Sequence, residues 1–524
     1  MRPGIQLLAG ASGFDSKLQG RGAPGIAADM IPTVPSAPCP PIDPLPVREA
    51  GSERRLSVLP ASRPDGKNGV RVDVRAILAL ALPLFLNSSI QAVLNLTDTW
   101  FIGRISSTAV AAIAAVHWLT LGFLLLFGGV AMGVQTFAAQ AYGAGRYRRA
   151  GSAAWNGIWA SLLVFPAFLA LAWVGPAVLS RLGLDSEVAA LAAEFWRPRM
   201  AGGILALLLW APMSYFYGTG QVRTAVLINL TVAAANAALD EILMFRLGWG
   251  IAGAAWATNG ALAIGFVLAM SVFTRLPLGR ERYAGHLLWR PRRRQVVAMF
   301  TVGLPIGAMI AFDLLGLAVF QLMMTRLGVV EAAATQIVMM LTSLAYMPAV
   351  GLGMAGTTLV GQSIGAGAPD WARRLGNRVI LMAVLHMGGV GLLLAIAGPW
   401  LGPIFVSAAD PNAPDVVSLT ATLLWVAACY QLFDGLQLGS GFCLRGAGDT
   451  RFPAVMLLVL CWGVFLPLTH VLTFEAGQGP MSQTPGFGFG AVGGWWAAVI
   501  YMVMLALALA GRWGSRRWMA MRLA

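Results

Sequence analysis

Four carboxylates stand inside stretches of sequence that are otherwise apolar: Asp98, Asp240, Asp313 and Asp434. A charge at the centre of a bilayer costs at least about 2.5–3.5 kcal/mol on insertion scales, so each needs a physical reason to be there. Asn236 precedes Asp240 by four residues, which puts an amide and a carboxyl on one helix face. Tyr430 and Asp434 have the same spacing, and Asp313 follows Pro305 by eight residues. Such groups can carry a proton or, when clustered, bind a sodium ion, and spacing does not choose between the two. The plainer reading is that each acid only hydrogen-bonds a neighbouring helix. It suits one lone acid better than two pairs, each drawn from two different apolar runs.

Other chemistry is thinly represented. His117, His386 and His470 lie in or near apolar runs, where helix packing is a better account than a proton relay. Cys39, Cys429, Cys443 and Cys461 show no metal or disulfide spacing and read as inert thiols. No H-E-x-x-H or P-loop pattern occurs, so a membrane-embedded enzyme has little support. Asn87-Ser-Ser89 fits a glycosylation sequon but falls within an apolar run and is discounted.

The elements that must position the acids are membrane helices. The chain has 524 residues, 58% hydrophobic and 11% charged, a balance that no water-facing globule of this size shows. Its net charge of +14 does not point to nucleic acid, because the arginines sit at the ends of apolar runs rather than on one patch. From Ala76 onward the runs are long enough to cross a core ~30 Å thick. They cover about 76–101, 113–142, 152–176, 198–218, 224–246, 251–274, 297–324, 333–361, 376–400, 417–443, 452–474 and 491–512. The expected fold is therefore all-α and integral to the membrane, with about twelve spans in two six-helix lobes.

The halves are legible as a repeat. Pro83–Gly145 overlays Pro305–Gly367 without a gap, placing Gly129 on Gly351 and Gln140-Ala-Tyr-Gly-Ala-Gly145 on Gln362-Ser-Ile-Gly-Ala-Gly367. Further on, Gly218-Thr-Gly220-Gln-Val-Arg223 overlays Gly446-Ala-Gly448-Asp-Thr-Arg451. The acids are not part of what repeats. Phe320 stands opposite Asp98, Gln91 opposite Asp313, and Val464 and Leu468 opposite Asn236 and Asp240. Each half holds a private pair, Asp98 with Asp240 and Asp313 with Asp434.

Arginines concentrate in alternate connectors, including Arg146–Arg149, Arg280–Arg294, Arg373–Arg378 and the tail from Arg512 to Arg522, which predicts cytoplasmic termini. Arg197 and Arg199 go against this bias and read as lying on the outer side, at the start of the fourth span. The expected divisions are a disordered Pro- and Gly-rich extension over 1–72, an N-lobe over 73–275, a solvated basic linker over 276–296, a C-lobe over 297–512 and a basic tail over 513–524. The chain's only lysines, Lys17 and Lys67, lie in the extension, as an over-extended translation start would also give.

Taken together, the two Gln…Gly-Ala-Gly blocks, the Leu444-Arg-Gly-Ala-Gly-Asp449 turn and Asp98-Thr99 resemble the multidrug and toxic compound extrusion (MATE) family, over residues 75–524. The resemblance implies a monomeric antiporter of the inner membrane that exports amphipathic, usually cationic compounds in exchange for H+ or Na+, without other cofactors. It implies that Asp98 is a coupling site extended by Asn236 and Asp240, as in the DinF-like branch. Asp313, Tyr430 and Asp434 resemble the cation site of the NorM-like branch, with Asp313 where glutamate is usual. The first set favours protons and the second sodium. A flippase for lipid-linked saccharides, from a related superfamily, is the alternative within transport. It would want a cationic cavity, whereas the interior charges placed here are acidic.

Overall fold

The computed structural model describes residues 59–65, 69–181, 185–275, 283, 285–407, 410–479 and 485–521, which belong to one compact unit. Most of the expected extension (1–58 and 66–68), Arg280 and Arg282 of the linker, and Arg522 of the tail lie outside the described residues. The chain is almost wholly helical, with α1 Val74–Gly103, α2 Ser107–Met132, α3 Val134–Gly143, α4 Tyr147–Leu162, α5 Phe165–Leu179, α6 Ser186–Ala201, α7 Gly203–Gly218, α8 Val222–Asp240 and α9 Gly250–Arg275 in the first half. The second half holds α10 Arg293–Leu327, α11 Val329–Gly365, α12 Pro369–Phe405, α13 Ala413–Ala447, α14 Arg451–Leu460, α15 Leu466–Thr473 and α16 Gly490–Gly514. A π-helical turn, Glu241–Arg246, continues α8, and another, Cys461–Phe465, joins α14 to α15.

Among the described residues eleven helical stretches are long and apolar enough to cross a membrane, and α6 with α7 makes the twelfth, bent by 43°. The fourth crossing thus starts at Ser186, well before residue 198. Its first helix carries Glu187, Glu194, Arg197 and Arg199, so hydropathy alone hides it. The bend falls at Gly202, where a Cβ would meet Asn259 Nδ2 at 2.0 Å. Arg199 is consequently not an outer-surface residue. It lies within the broken span, partly buried, with Nη1 donating to Asn259 Oδ1 at 3.3 Å.

Three further expectations change at their edges. Residues 59–65 and 69–72 are not a loose tail: Ser62–Pro64 pairs antiparallel with Val70–Val72, Arg71 is ion-paired to Asp65, and the Trp371 indole donates to Pro60 O at 3.0 Å. The hairpin leads into α1, where Asp73 caps the helix by accepting from the Arg75 amide. The described end of the linker is not free in solvent either. Trp155 and Trp159 donate to Gly285 O and Trp289 O, both at 2.6 Å, and Asn156 accepts from the Arg292 amide at 2.8 Å. In the tail, Trp518 folds back to stack on Trp513 at 4.2 Å.

The halves meet crosswise. α10 packs on α2, and α11 packs on α1 and α3. Small residues permit this approach: a Cβ on Gly129 would lie 2.1 Å from Gly307 N, and one on Gly351 would lie 2.7 Å from Phe85 N. The tight connectors after α3 and α11 need a left-handed residue, supplied by Gly145 (φ 70°) and Gly367 (φ 74°).

Candidate functional site

The first-half residues singled out by the sequence come into direct contact. The Asn236 amide donates to Asp98 Oδ1 at 2.7 Å and to Asp240 Oδ2 at 2.5 Å, tying α1 to α8. Sharing that one amide, the Asp98 and Asp240 carboxyls lie within electrostatic reach of each other. Asp240 and Asn236 are 0% and 1% exposed, and Asp240 Oδ1 and Asn236 Oδ1 have no protein partner. Arg199 lies near enough for its charge to act on Asp98. Two turns along α8 from Asn236, Asn229 bonds to Asn87 Oδ1, and the Asn87 amide donates to the Tyr217 hydroxyl at 3.0 Å. Asn87 therefore serves inside the bundle, not as a glycan acceptor.

The second-half residues gather more loosely. Asp434 on α13 is buried, whereas Asp313 on α10 is exposed and accepts from the Tyr501 hydroxyl at 3.3 Å. Asp313, Asp434 and Tyr430 lie within electrostatic reach of one another and of Tyr346. Tyr430 also meets Trp495 edge-on at 6.4 Å, and Tyr501 stacks on Phe465 at 5.0 Å. Arg199, Tyr346 and Tyr501 are the neighbours that sequence reasoning missed. An aromatic residue in an apolar run reads as core, and only the fold places Tyr346 and Tyr501 beside an acid.

Between the clusters and the terminus-bearing end of the molecule, the halves are joined by buried, reciprocal hydrogen bonds. Gln140 donates to Gly446 O at 3.2 Å, and Gln362 donates to Gly218 O at 3.0 Å. Thr136 donates to Arg445 O and Thr358 to Tyr217 O, both at 3.0 Å. Donors and acceptors exchange places under the sequence repeat, and so do the close contacts. A Cβ on Gly143 would lie 1.9 Å from Gln362 O, and one on Gly365 would lie 2.0 Å from Gln140 O. The repeated Gln…Gly block is thus an inter-half seal.

Twelve crossings in two repeats, a private acid cluster in each and a seal at one end define a two-lobed membrane transporter. The MatE family model matches residues 83–242 and 305–471, the two repeats, and the chain belongs to this family, whose members are transporters rather than enzymes. Two bacterial relatives carry the name Probable multidrug resistance protein NorM. That of Bradyrhizobium diazoefficiens is 32% identical over 445 residues, covering 83% of this chain and 94% of the relative. That of Mesorhizobium japonicum is 29% identical over 483 residues, covering 88% and 98%. The fold is shared with a crystal structure of MATE in the straight conformation (TM-score 0.72, 18% identity, 84% of this chain and 96% of that one). It is also shared with a MOP superfamily transporter from Pyrococcus furiosus (TM-score 0.70, 17% identity, 84% and 95%).

Proposed function

We propose that the protein is a multidrug efflux antiporter that exports amphipathic, cationic compounds in exchange for protons bound at Asp98, Asn236 and Asp240. The observation that carries this reading is the buried Asn236 amide that bridges Asp98 and Asp240. Two carboxyls held on one buried amide cannot both stay ionised at low cost, so the pair is built to take up and give up a proton. The names of the bacterial relatives support the multidrug part. The lobes rock about the space between them, in a monomer in the inner membrane with both termini cytoplasmic and lipid around its apolar surface. Proton and substrate then need only have opposite preferences for the two states.

Asp313, Tyr430 and Asp434 support a second reading, a sodium ion in the C-lobe, because they set two acids beside phenol oxygens. Accumulation of ethidium in inside-out vesicles, under an imposed pH or Na+ gradient, separates the two. The expected result is accumulation driven by a pH gradient alone and abolished by Asp98→Asn. A requirement for Na+ that Asp434→Asn removes would move coupling to the C-lobe. Absence of any gradient-driven ethidium movement would return the question to the saccharide flippase.

A further inference from the structure

The seal between the halves contains one charged side chain. Arg445, near the end of α13, is 8% exposed and crosses from the second half to the first. There Nη2 donates to Met132 O at 3.1 Å, on the last residue of α2 before the break at Gly133. Its Nε has no partner, and the Phe442 ring centre lies 5.8 Å from the guanidinium carbon. The ion pairs among the described residues are Arg71–Asp65, Arg104–Glu241 and Arg512–Asp449, so Arg445 is held by no acid. Its equivalent in the first half is Tyr217, a neutral residue. The other cross-half bonds of the seal come from neutral amides and hydroxyls.

A buried guanidinium has five donors to satisfy; here Nη2 reaches one carbonyl, the guanidinium lies over the face of the Phe442 ring, and Nε has no protein partner. Taking an ion out of water costs more than a single charge-assisted hydrogen bond returns. Water would restore the difference as soon as the halves part. Arg445 therefore opposes closure while the neutral bonds around it favour closure. We propose that Arg445 is the opening element of the cytoplasmic gate, an under-satisfied buried charge that keeps the sealed state from becoming too stable to leave. The proposal rests on the alternating-access reading above. It assigns Arg445 to gating and not to contact with ion or substrate.

The test uses a disulfide across the seal. A Cβ on Gly361 would lie 2.9 Å from Ala139 Cβ, closer than the ~3.5–4.5 Å of a disulfide, so a small local shift brings the pair to bonding range and Ala139→Cys with Gly361→Cys reports closure relative to that pair alone. The rate of 139–361 disulfide formation in membranes is read by mass spectrometry of the full chain's peptides. Added to this pair, Arg445→Met and Arg445→Gln should each raise the rate at least about threefold and slow ethidium efflux in the reduced protein. Arg445→Lys, which keeps the charge, should stay near the parent rate. An unchanged or lower rate in both neutral variants would overturn the proposal and make Arg445 a strut of the closed state. Full efflux from the disulfide-locked protein would instead overturn alternating access itself, whatever Arg445 does.

Discussion

Thr136 and Thr358 occupy equivalent places in the two repeats, and each sends its hydroxyl across the boundary between them to a backbone carbonyl 3.0 Å away. Both are 0% exposed. A buried hydroxyl bond of this kind contributes about 1 kcal/mol, and its loss leaves a carbonyl unpaired. Thr136→Val and Thr358→Val should therefore each raise alkylation of a cysteine placed at Ala139 by roughly fivefold, since 1.4 kcal/mol is about a factor of ten. The double variant should do more than either alone. A large effect in one and none in the other would show that the two halves of the seal are energetically unequal.

The carboxyl cluster makes a sharper prediction. Asp98→Asn keeps size and hydrogen bonding but removes the exchangeable proton, so gradient-driven efflux should fall to background while the protein stays folded. Asn236→Ala removes both bridges, the 2.7 Å bond to Asp98 and the 2.5 Å bond to Asp240. With each charge-assisted bond contributing about 1.5–3 kcal/mol, efflux should drop at least tenfold. Leu239→Ala, one residue from Asp240 but partly buried against other apolar groups, should leave efflux within about twofold. Vesicle assays of the three variants at equal protein level check the set.

How far the sequence speaks depends on the distance over which a contact is specified. The spans and repeats were legible because hydropathy is local and the overlay runs without a gap. Asn236 and Asp240 were legible as a pair because four residues make one helical turn. Asp98 could be paired with Asp240 only because both break the repeat in the first half, since nothing in α1 says that it meets α8. Arg199 was misplaced because α6 is too polar to read as part of a span, and Gly202 hides the bend that carries Arg199 inward. The Gln140 and Gln362 motifs were visible, but that each reaches a glycine turn in the opposite repeat is a property of packing alone.

The described end of the linker gives a prediction about order. Asn156 accepts from the Arg292 amide and donates to Gln295 Oε1 at 2.7 Å, while Ser152 donates to the same Gln295 oxygen at 3.0 Å. Asn156 is 0% exposed. Asn156→Ala should cost about 1–3 kcal/mol by leaving these groups unpaired. Limited trypsin digestion should then cut after Arg292 and Arg293 faster than in the parent protein. Equal cleavage would mean that the Trp155 and Trp159 bonds hold the segment without Asn156.

The contact of α2 with α10 allows no side chain at its centre, and this distinguishes packing from propensity. Alanine is the better helix former, so Gly→Ala in a helix normally stabilises by about 0.5–1 kcal/mol. A Cβ on Gly129, however, would lie 2.1 Å from Gly307 N and 2.3 Å from Gly303 O, and one on Gly303 would lie 2.5 Å from Gly129 O. These are backbone atoms, which yield only if the helices separate. Gly129→Ala should therefore destabilise by about 1–3 kcal/mol, the usual cost of overpacking. Gly463, in the π-helical turn, has nothing within 4 Å of its built Cβ, so Gly463→Ala should be neutral or mildly stabilising. Thermal unfolding in detergent compares the two directly. A lower transition temperature for Gly129→Ala with no loss for Gly463→Ala assigns the effect to the inter-half approach. Equal losses would assign it to the helices themselves.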